Sequence, residues 1–366
     1  MNQHELFNIV FDIDENLKRT IGRLQDTSLF NYRLFKLNKL NKIAKQKPFE
    51  NNWRLVTVES WKVVLDEVSW GKLEYIDNDF FVNTSAEVLS EKIQFLDKAI
   101  VIMPPYPPQA GANNLQALKQ FSAFYHYCPN TLFLGWDWDN HFNLHISSIF
   151  SAASDIYYPT HLANDYELSN FCNHKYHLPS SAYQWGRWFL SENIDLILRR
   201  DRKNDAFGRF KKYGLFGFRN AVVTTLSSKL SEVTLVDELS SYHALTLREK
   251  LEEWTRYKCH WIVPTLNDVS TRIFDVLITG GILIVPEKFR FDPAVRTINE
   301  LDCLFYNDGD ILNPENIIAR AIKIFDDGGI DGVLRRHRFA LDFHNLDSRV
   351  KEIIDIARGV LDKSFS

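Results

Sequence analysis

Read for its hydrophobic and polar positions, the second half of the chain alternates two patterns. Short apolar runs at 195–198, 233–236, 261–264, 282–286 and 303–306 predict strands. Between and after them, helical spacing predicts helices over 219–228, 246–257, 270–279, 293–301 and 314–325. Strands of four or five mostly apolar residues that alternate with helices of about ten are the pattern of a parallel sheet covered on both faces. Two further helices, 333–343 and 347–361, close the chain. The first half reads less clearly. Leu17, Ile21, Leu24 and Leu29 carry helix-like spacing through 11–45, ahead of the basic, leucine-rich FKLNKLNKIAKQK. Strands are expected at 54–58, at 99–103 running into PPYPP, and at TLFLGW, which leads directly into DWDNH. Helices LQALKQFSAFYHY and NDYELSNFC, a helical patch at SSIFSAASDI and a short strand IYYP complete an α/β alternation.

The rhythm changes after LPSSAYQWGRW, so two Rossmann-like α/β domains are expected, 1–185 and 186–366. A length of 366 residues fits two domains of about 150 each. With 45% hydrophobic and 25% charged residues the chain is neither disordered nor fibrous. A net charge of −4 argues against a nucleic-acid partner, which calls for a basic excess. Cys128, Cys172, Cys259 and Cys303 are scattered and form no CxxC, so they read as reduced, buried thiols of a cytoplasmic protein. No stretch approaches the roughly 18 consecutive apolar residues of a membrane span, and the start does not read as a signal peptide. The run RRDRKNDAFGRFKK reads as a solvated face, with a patch for the inner membrane surface as its alternative.

The most informative segment is PTLNDVSTRIFDVLITGGILIVP, residues 264–286. A strand delivers the chain to Asn267 and Asp268, good helix caps, and Val269, Ile273, Val276 and Leu277 mark one buried helix face. Gly280 and Gly281 stop the helix before a buried strand. The start of such a helix, with Ser270 and Thr271 in its first turn, offers N–H groups and a partial positive charge to a diphosphate. Arg272 can fork onto phosphate oxygens, and Asp275 can accept hydrogen bonds from a ribose or sugar diol.

This segment resembles the C-terminal domain of GT-B glycosyltransferases, particularly the group-1 and spore-maturation-like families. Those carry a strand, a proline, an acid, a second acid eight residues later, then a small pair and an apolar strand. Here Asn267 stands at the first acidic position, with Asp268 beside it, and Asp275 at the second. The resemblance, which covers about 213–325, implies that Asp275 holds the nucleotide ribose and that Asn267 faces the donor sugar. It also implies two Rossmann-like domains facing across a cleft, with the nucleotide-sugar donor in the C-terminal one and a glycan or lipid-linked acceptor in the N-terminal one. Retention at the anomeric carbon and a surface-polysaccharide setting follow from the resemblance alone.

Three further constellations fit that frame. In KKYGLFGFRNAVVTTL, Gly214 and Gly217 permit close backbone approach and Arg219 stands near a helix start, within reach of a phosphate. An ordinary glycine turn is the alternative. His243 falls in a loop expected over the nucleotide base. In GWDWDNHFNLH, Asp137 and Asp139 form a DxD, and Asp137, Asp139 or His141 could orient or deprotonate an acceptor hydroxyl, with Trp136 and Trp138 offering faces to a sugar ring. His161 follows the next strand and reads as structural or as part of the same cleft. His141 and His145 lack a third ligand, so neither a metal nor any other cofactor is expected. Arg272 and Arg219 are expected to stabilise the departing phosphate in place of a metal. The alternatives are a non-catalytic glycosyltransferase-like binding subunit and a nucleotide-sugar epimerase of similar fold.

Overall fold

The computed structural model describes residues 27–363 apart from 66–72, 78, 82–85, 106–114, 139, 141–143, 162–170, 267 and 299. Most of the expected helix NDYELSNFC, most of PPYPP, and Leu17, Ile21 and Leu24 lie outside the described residues. By internal contacts the chain divides into two units. The first comprises Met1–Ser60, Gly71–Leu178 and Ile353–Ser366, the second Trp61–Trp70 and Pro179–Glu352. The main boundary thus lies between Leu178 and Pro179, ahead of the 185/186 division read from the sequence, and the last helix is divided between the units.

The first unit carries α1 (Thr27–Ala44), β1 (Arg54–Val58), β2 (Leu73–Ile76), α2 (Ala86–Leu96), β3 (Ala99–Met103) and α3 (Leu115–Tyr127). Then come β4 (Leu132–Asp137), α4 (Leu144–Ala152), β5 (Ile156–Pro159) and β6 (His174–Lys175). The six strands form one parallel sheet in the order β2-β1-β3-β4-β5-β6. AIVIM of β3 and LFLGWD of β4 are buried along their whole length, as central strands of a doubly covered sheet are. At Gly135 the turn before β5 passes so close that a Cβ would lie 2.1 Å from Ser154 Oγ. That turn also carries Asp155, whose buried carboxylate accepts hydrogen bonds from Lys39 Nζ (3.0 Å), Tyr125 OH (2.6 Å) and the Phe133 N–H (2.8 Å). One carboxylate therefore ties together α1, α3 and β4. Lys36, also buried, donates to the carbonyls of Ser151 and Ala152 at the end of α4. The inward side of the basic N-terminal helix is thus partly lysine, while Phe30, Leu34 and Leu37 are exposed.

The second unit begins with α5 (Arg187–Glu192) and α6 (Ile194–Ile197). The expected strand at 195–198 is therefore helical; four residues are too few for periodicity to separate the two states. The first strand is instead β7 (Lys203–Lys211), inside the charged run read as a solvated face. Only its middle, with Ala206, Phe207 and Phe210, is deeply buried, and both ends are solvated. There follow α7 (Gly217–Ser227), β8 (Val233–Val236), α8 (Ser240–His243), α9 (Leu247–Thr255) and β9 (Tyr257–Trp261). Strand β9 lies earlier than the 261–264 expected, because Lys258 and His260 occupy buried strand positions. Lys258 pairs with Asp326 (2.6 Å), and His260 stacks on Trp254 with its pKa pushed down to about 3 by burial.

The unit continues through α10 (Thr271–Ile278), β10 (Ile282–Pro286), α11 (Pro293–Arg296), β11 (Cys303–Tyr306), α12 (Asp308–Leu312), α13 (Glu315–Phe343) and α14 (Leu346–Lys363). The expected helix 293–301 is confined to one turn. The helices expected at 314–325 and 333–343 are joined in α13, interrupted at Gly329 with φ 51° and ψ −147°, a conformation that favours glycine. The sheet order is β11-β10-β9-β7-β8, with every pair parallel. Numbered within its own unit, the second sheet has the order 2-1-3-4-5, and so do the first five strands of the first sheet. Both units are Rossmann-like α/β layers built on one plan. No helix of the described residues is long and apolar enough to cross a membrane.

Candidate functional site

In a 2-1-3-4-5 sheet the connection leaving the first strand turns one way and that leaving the third turns the other. The loops part there, and a crevice opens at the carboxyl ends of the strands. In the second unit that point lies between β7 and β9. A cavity of about 650 Å³ occupies it, lined by residues that follow β7, β9, β10 and β11. Its volume falls within the range of ligand sites, about 300–1,000 Å³. Leu215, Phe218 and Leu266 stand at its edge with 92%, 80% and 50% of their surfaces exposed, which is unusual for apolar side chains beside an otherwise buried sheet. Val222, Val263 and Tyr306 line the interior.

Three cations gather at this edge of the sheet. Arg219, 7% exposed, donates from Nη1 to the Lys211 carbonyl (2.7 Å) and from Nε to that of Val263 (3.3 Å), so it bridges the ends of β7 and β9. Arg272 donates to the Arg209 carbonyl (2.5 Å), and the Phe210 ring lies 5.3 and 5.2 Å from the two guanidinium groups. Burial pushes both guanidinium pKa values down, and the mutual repulsion lowers that of Arg219 further. Lys288, at the end of β10, donates to the Leu266 carbonyl. Asp268 lies within electrostatic reach of all three and offsets part of their charge.

Helix α7 starts in the cavity lining without a side-chain cap, so its first N–H groups are not taken by a capping side chain. Asn220 fixes the turn before it, accepting from the Tyr213 N–H and donating to the Tyr213 carbonyl. Gly217 lines the cavity, but neither it nor Gly214 is required by packing, since a Cβ at either would meet nothing within 4 Å. Their expected role in close backbone approach therefore has no counterpart within the protein itself.

The other expected donor residues are placed elsewhere. Ser270 caps α10, its Oγ accepting from the Arg272 N–H (3.4 Å), and Thr271 is the first residue of that helix. Asp275 is 1% exposed and does not line the cavity. It accepts hydrogen bonds from the Tyr183 N–H and from Gln184 Nε2, both at 3.1 Å, and burial pushes its carboxyl up to about 6. Tyr242 OH donates to the Oε1 of the same Gln184 and accepts from Trp254 Nε1. His243 is exposed on α8 and does not line the cavity. Asn267 lies outside the described residues. The structure thus brings Gly217 and Arg219 into the cavity lining and leaves Asp275 outside it.

On the acceptor side, Asp139 and His141 lie outside the described residues. Asp137 ends β4 with 0% exposure and accepts a hydrogen bond from Tyr157 OH (2.7 Å). Trp136 and Trp138 are buried and packed edge to face, centroids 4.9 Å apart, so they do not present faces to a sugar as expected. His161 is buried: its Nε2 lies 3.0 Å from the Trp138 carbonyl, its backbone is paired reciprocally with the Asn140 side chain, and burial takes its pKa down to about 4. Among the described residues no three His, Cys, Asp or Glu side chains are gathered to hold a metal ion.

Lys288, Tyr306 and Asp308 line the cavity and were missed by motif reading. The signal that finds them is positional, because each stands at the carboxyl end of a predicted strand. Comparison of the chain with protein-family models and with curated proteins yields no match.

Proposed function

We propose that the chain is a glycosyltransferase of the two-domain GT-B type, its second unit holding a nucleotide-activated sugar and its first unit the glycan or lipid-linked acceptor. The observation that supports this best is the cavity at the carboxyl ends of β7, β9, β10 and β11, where Arg219, Lys288 and the uncapped start of α7 face one space. Guanidinium, ammonium and helix N–H groups together suit a diphosphate, and the exposed Leu215 and Phe218 suit the flat face of a base. The same groups would stabilise the negative charge that grows on the phosphate as the glycosyl bond breaks. The acceptor assignment rests on the sequence reading of Asp137, Asp139 and His141. The cleft between domains belongs to the GT-B reading.

A second reading has one observation in its favour. Both oxygens of Asp275 and the Nη1 of Arg272 are already engaged within the protein, which suits a glycosyltransferase-like subunit that binds nucleotide without transfer. Incubation with a panel of nucleotide sugars and glycan acceptors, followed by mass spectrometry, separates the readings. Transfer is the expected result. Binding without turnover selects the second reading, donor isomerisation without an acceptor selects an epimerase, and absence of any nucleotide binding sinks all three.

A further inference from the structure

Resting on the nucleotide reading of the cavity, we propose that Asp308, not Asp275, is the carboxylate that accepts hydrogen bonds from the hydroxyl pair of a bound ribose. Among the described residues the cavity lining contains two carboxylates, Glu287 and Asp308. Glu287 is engaged by Arg290 through two hydrogen bonds of 2.5 and 2.8 Å. Asn307, also in the lining, is likewise occupied, because its side chain caps α12 by accepting from the Gly309 and Asp310 N–H groups. Asp308 stands at the first position of α12, exposed, and its side chain has no hydrogen-bond or ion-pair partner among the described residues. Its charge reaches the hydroxyl of Tyr306, which lines the same cavity and donates to the Ile262 carbonyl (3.1 Å). The carboxylate is therefore next to the cavity interior and unspent.

The chemistry fits a diol. An ionised carboxylate offers two acceptor oxygens and no donor, and a vicinal diol offers two donors. A carboxylate is repelled by a diphosphate, so the ligand orders itself with phosphates toward Arg219 and Lys288 and its neutral hydroxyls toward Asp308. Asp275 has neither feature: it is 1% exposed, outside the cavity lining, and holds Tyr183 and Gln184.

The test is calorimetric titration of the full chain with ADP, CDP, GDP and UDP, then with the 2′,3′-dideoxy form of the tightest binder. Wild type, D308N and D275N are compared, with circular dichroism confirming that each is folded. D308N is expected to weaken the ribonucleotide about 10- to 100-fold, the range of charge-assisted hydrogen bonds. The dideoxy ligand should bind wild type more weakly by a similar factor and should bind D308N no more weakly than wild type. Equal loss of both ligands in D308N would make Asp308 a general charge or a cation ligand and overturn the assignment. So would a hydroxyl-dependent loss confined to D275N, or wild-type affinity indifferent to the hydroxyls; in either case the nucleotide reading stands. Failure of all four diphosphates to bind wild type overturns the nucleotide reading and this assignment with it.

Discussion

The surroundings of Asp275 determine the sign of a pH effect on stability. Its carboxyl titrates at about 6 against the ordinary 3.8, because burial disfavours the charge more than Gln184, the Tyr183 N–H and Arg272 favour it. An acid raised on folding stabilises the fold in its protonated form. That contribution is whole below about pH 4 and is lost as the pH rises through about 6. Each pH unit between the two values is worth about 1.4 kcal/mol, so the full loss is about 3 kcal/mol, of which about 2 falls between pH 4.5 and 7.5. D275N is neutral at every pH and escapes this loss. It carries a different cost, on the order of 1–3 kcal/mol, because its amide nitrogen must face the Tyr183 or Gln184 donor, and that cost does not depend on pH. The diagnostic is therefore the slope, not the offset. Urea denaturation of wild type and D275N at pH 4.5 and 7.5, followed by circular dichroism, should show the wild-type advantage shrinking by about 2 kcal/mol at the higher pH. A gap constant within about 0.5 kcal/mol would show that the carboxylate is not held in a desolvated site.

Three further outcomes follow from the geometry. R219A should weaken binding of the tightest nucleoside diphosphate about 10- to 100-fold, with R219K recovering only part because it lacks the fork that spans the Val263 and Lys211 carbonyls; unchanged affinity in R219A would remove it from the site. D155N should destabilise the first unit by about 3–5 kcal/mol in urea, since it strands the buried Lys39 ammonium, and the double variant K39M/D155N should recover part of the loss. G135A should cost about 1–3 kcal/mol by forcing a methyl onto Ser154, with S154A in the same chain relieving part of it; no change in the urea midpoint would refute the close approach of β4 to that turn.

How much of this was legible beforehand depended on where each residue's partners lie. Strands β1, β3, β10 and β11 match their predicted spans because short, mostly buried apolar runs announce themselves locally, and β8 matches on its apolar run although only Val233 of it is buried. Strand β7 hid in a charged run, since only its middle enters the core. Strand β9 hid because Lys258 and His260 are made acceptable in a core by Asp326 and the Trp254 ring, and Asp326 is distant in sequence. Arg219 was found because glycines followed by a helix start are a local signal, although the strand that precedes them was missed. Lys288 and Asp308 follow the ends of the predicted strands β10 and β11 but carry no motif spacing. The place of Asp275 could not be read locally, because the groups that engage it, Tyr183 and Gln184, lie 92 and 91 residues away.

The division of the chain also sets an order of assembly. The second unit is complete once Glu352 has been synthesised, whereas the first still awaits Ile353–Ser366, whose opening residue accepts the hydrogen bond of the buried Tyr158 hydroxyl (3.0 Å). Because domains fold as units while the chain emerges at about 5–20 residues per second, the sheet with the candidate ligand cavity has all its strands, the last ending at Tyr306, well before the last piece of the first unit begins at Ile353. A ribosome-bound chain stalled just past Glu352, with enough downstream linker to clear the exit tunnel, therefore carries every residue of the second unit while the first is still unfinished. Any ligand that binds the cavity would favour that half-built state by mass action before the first unit is completed.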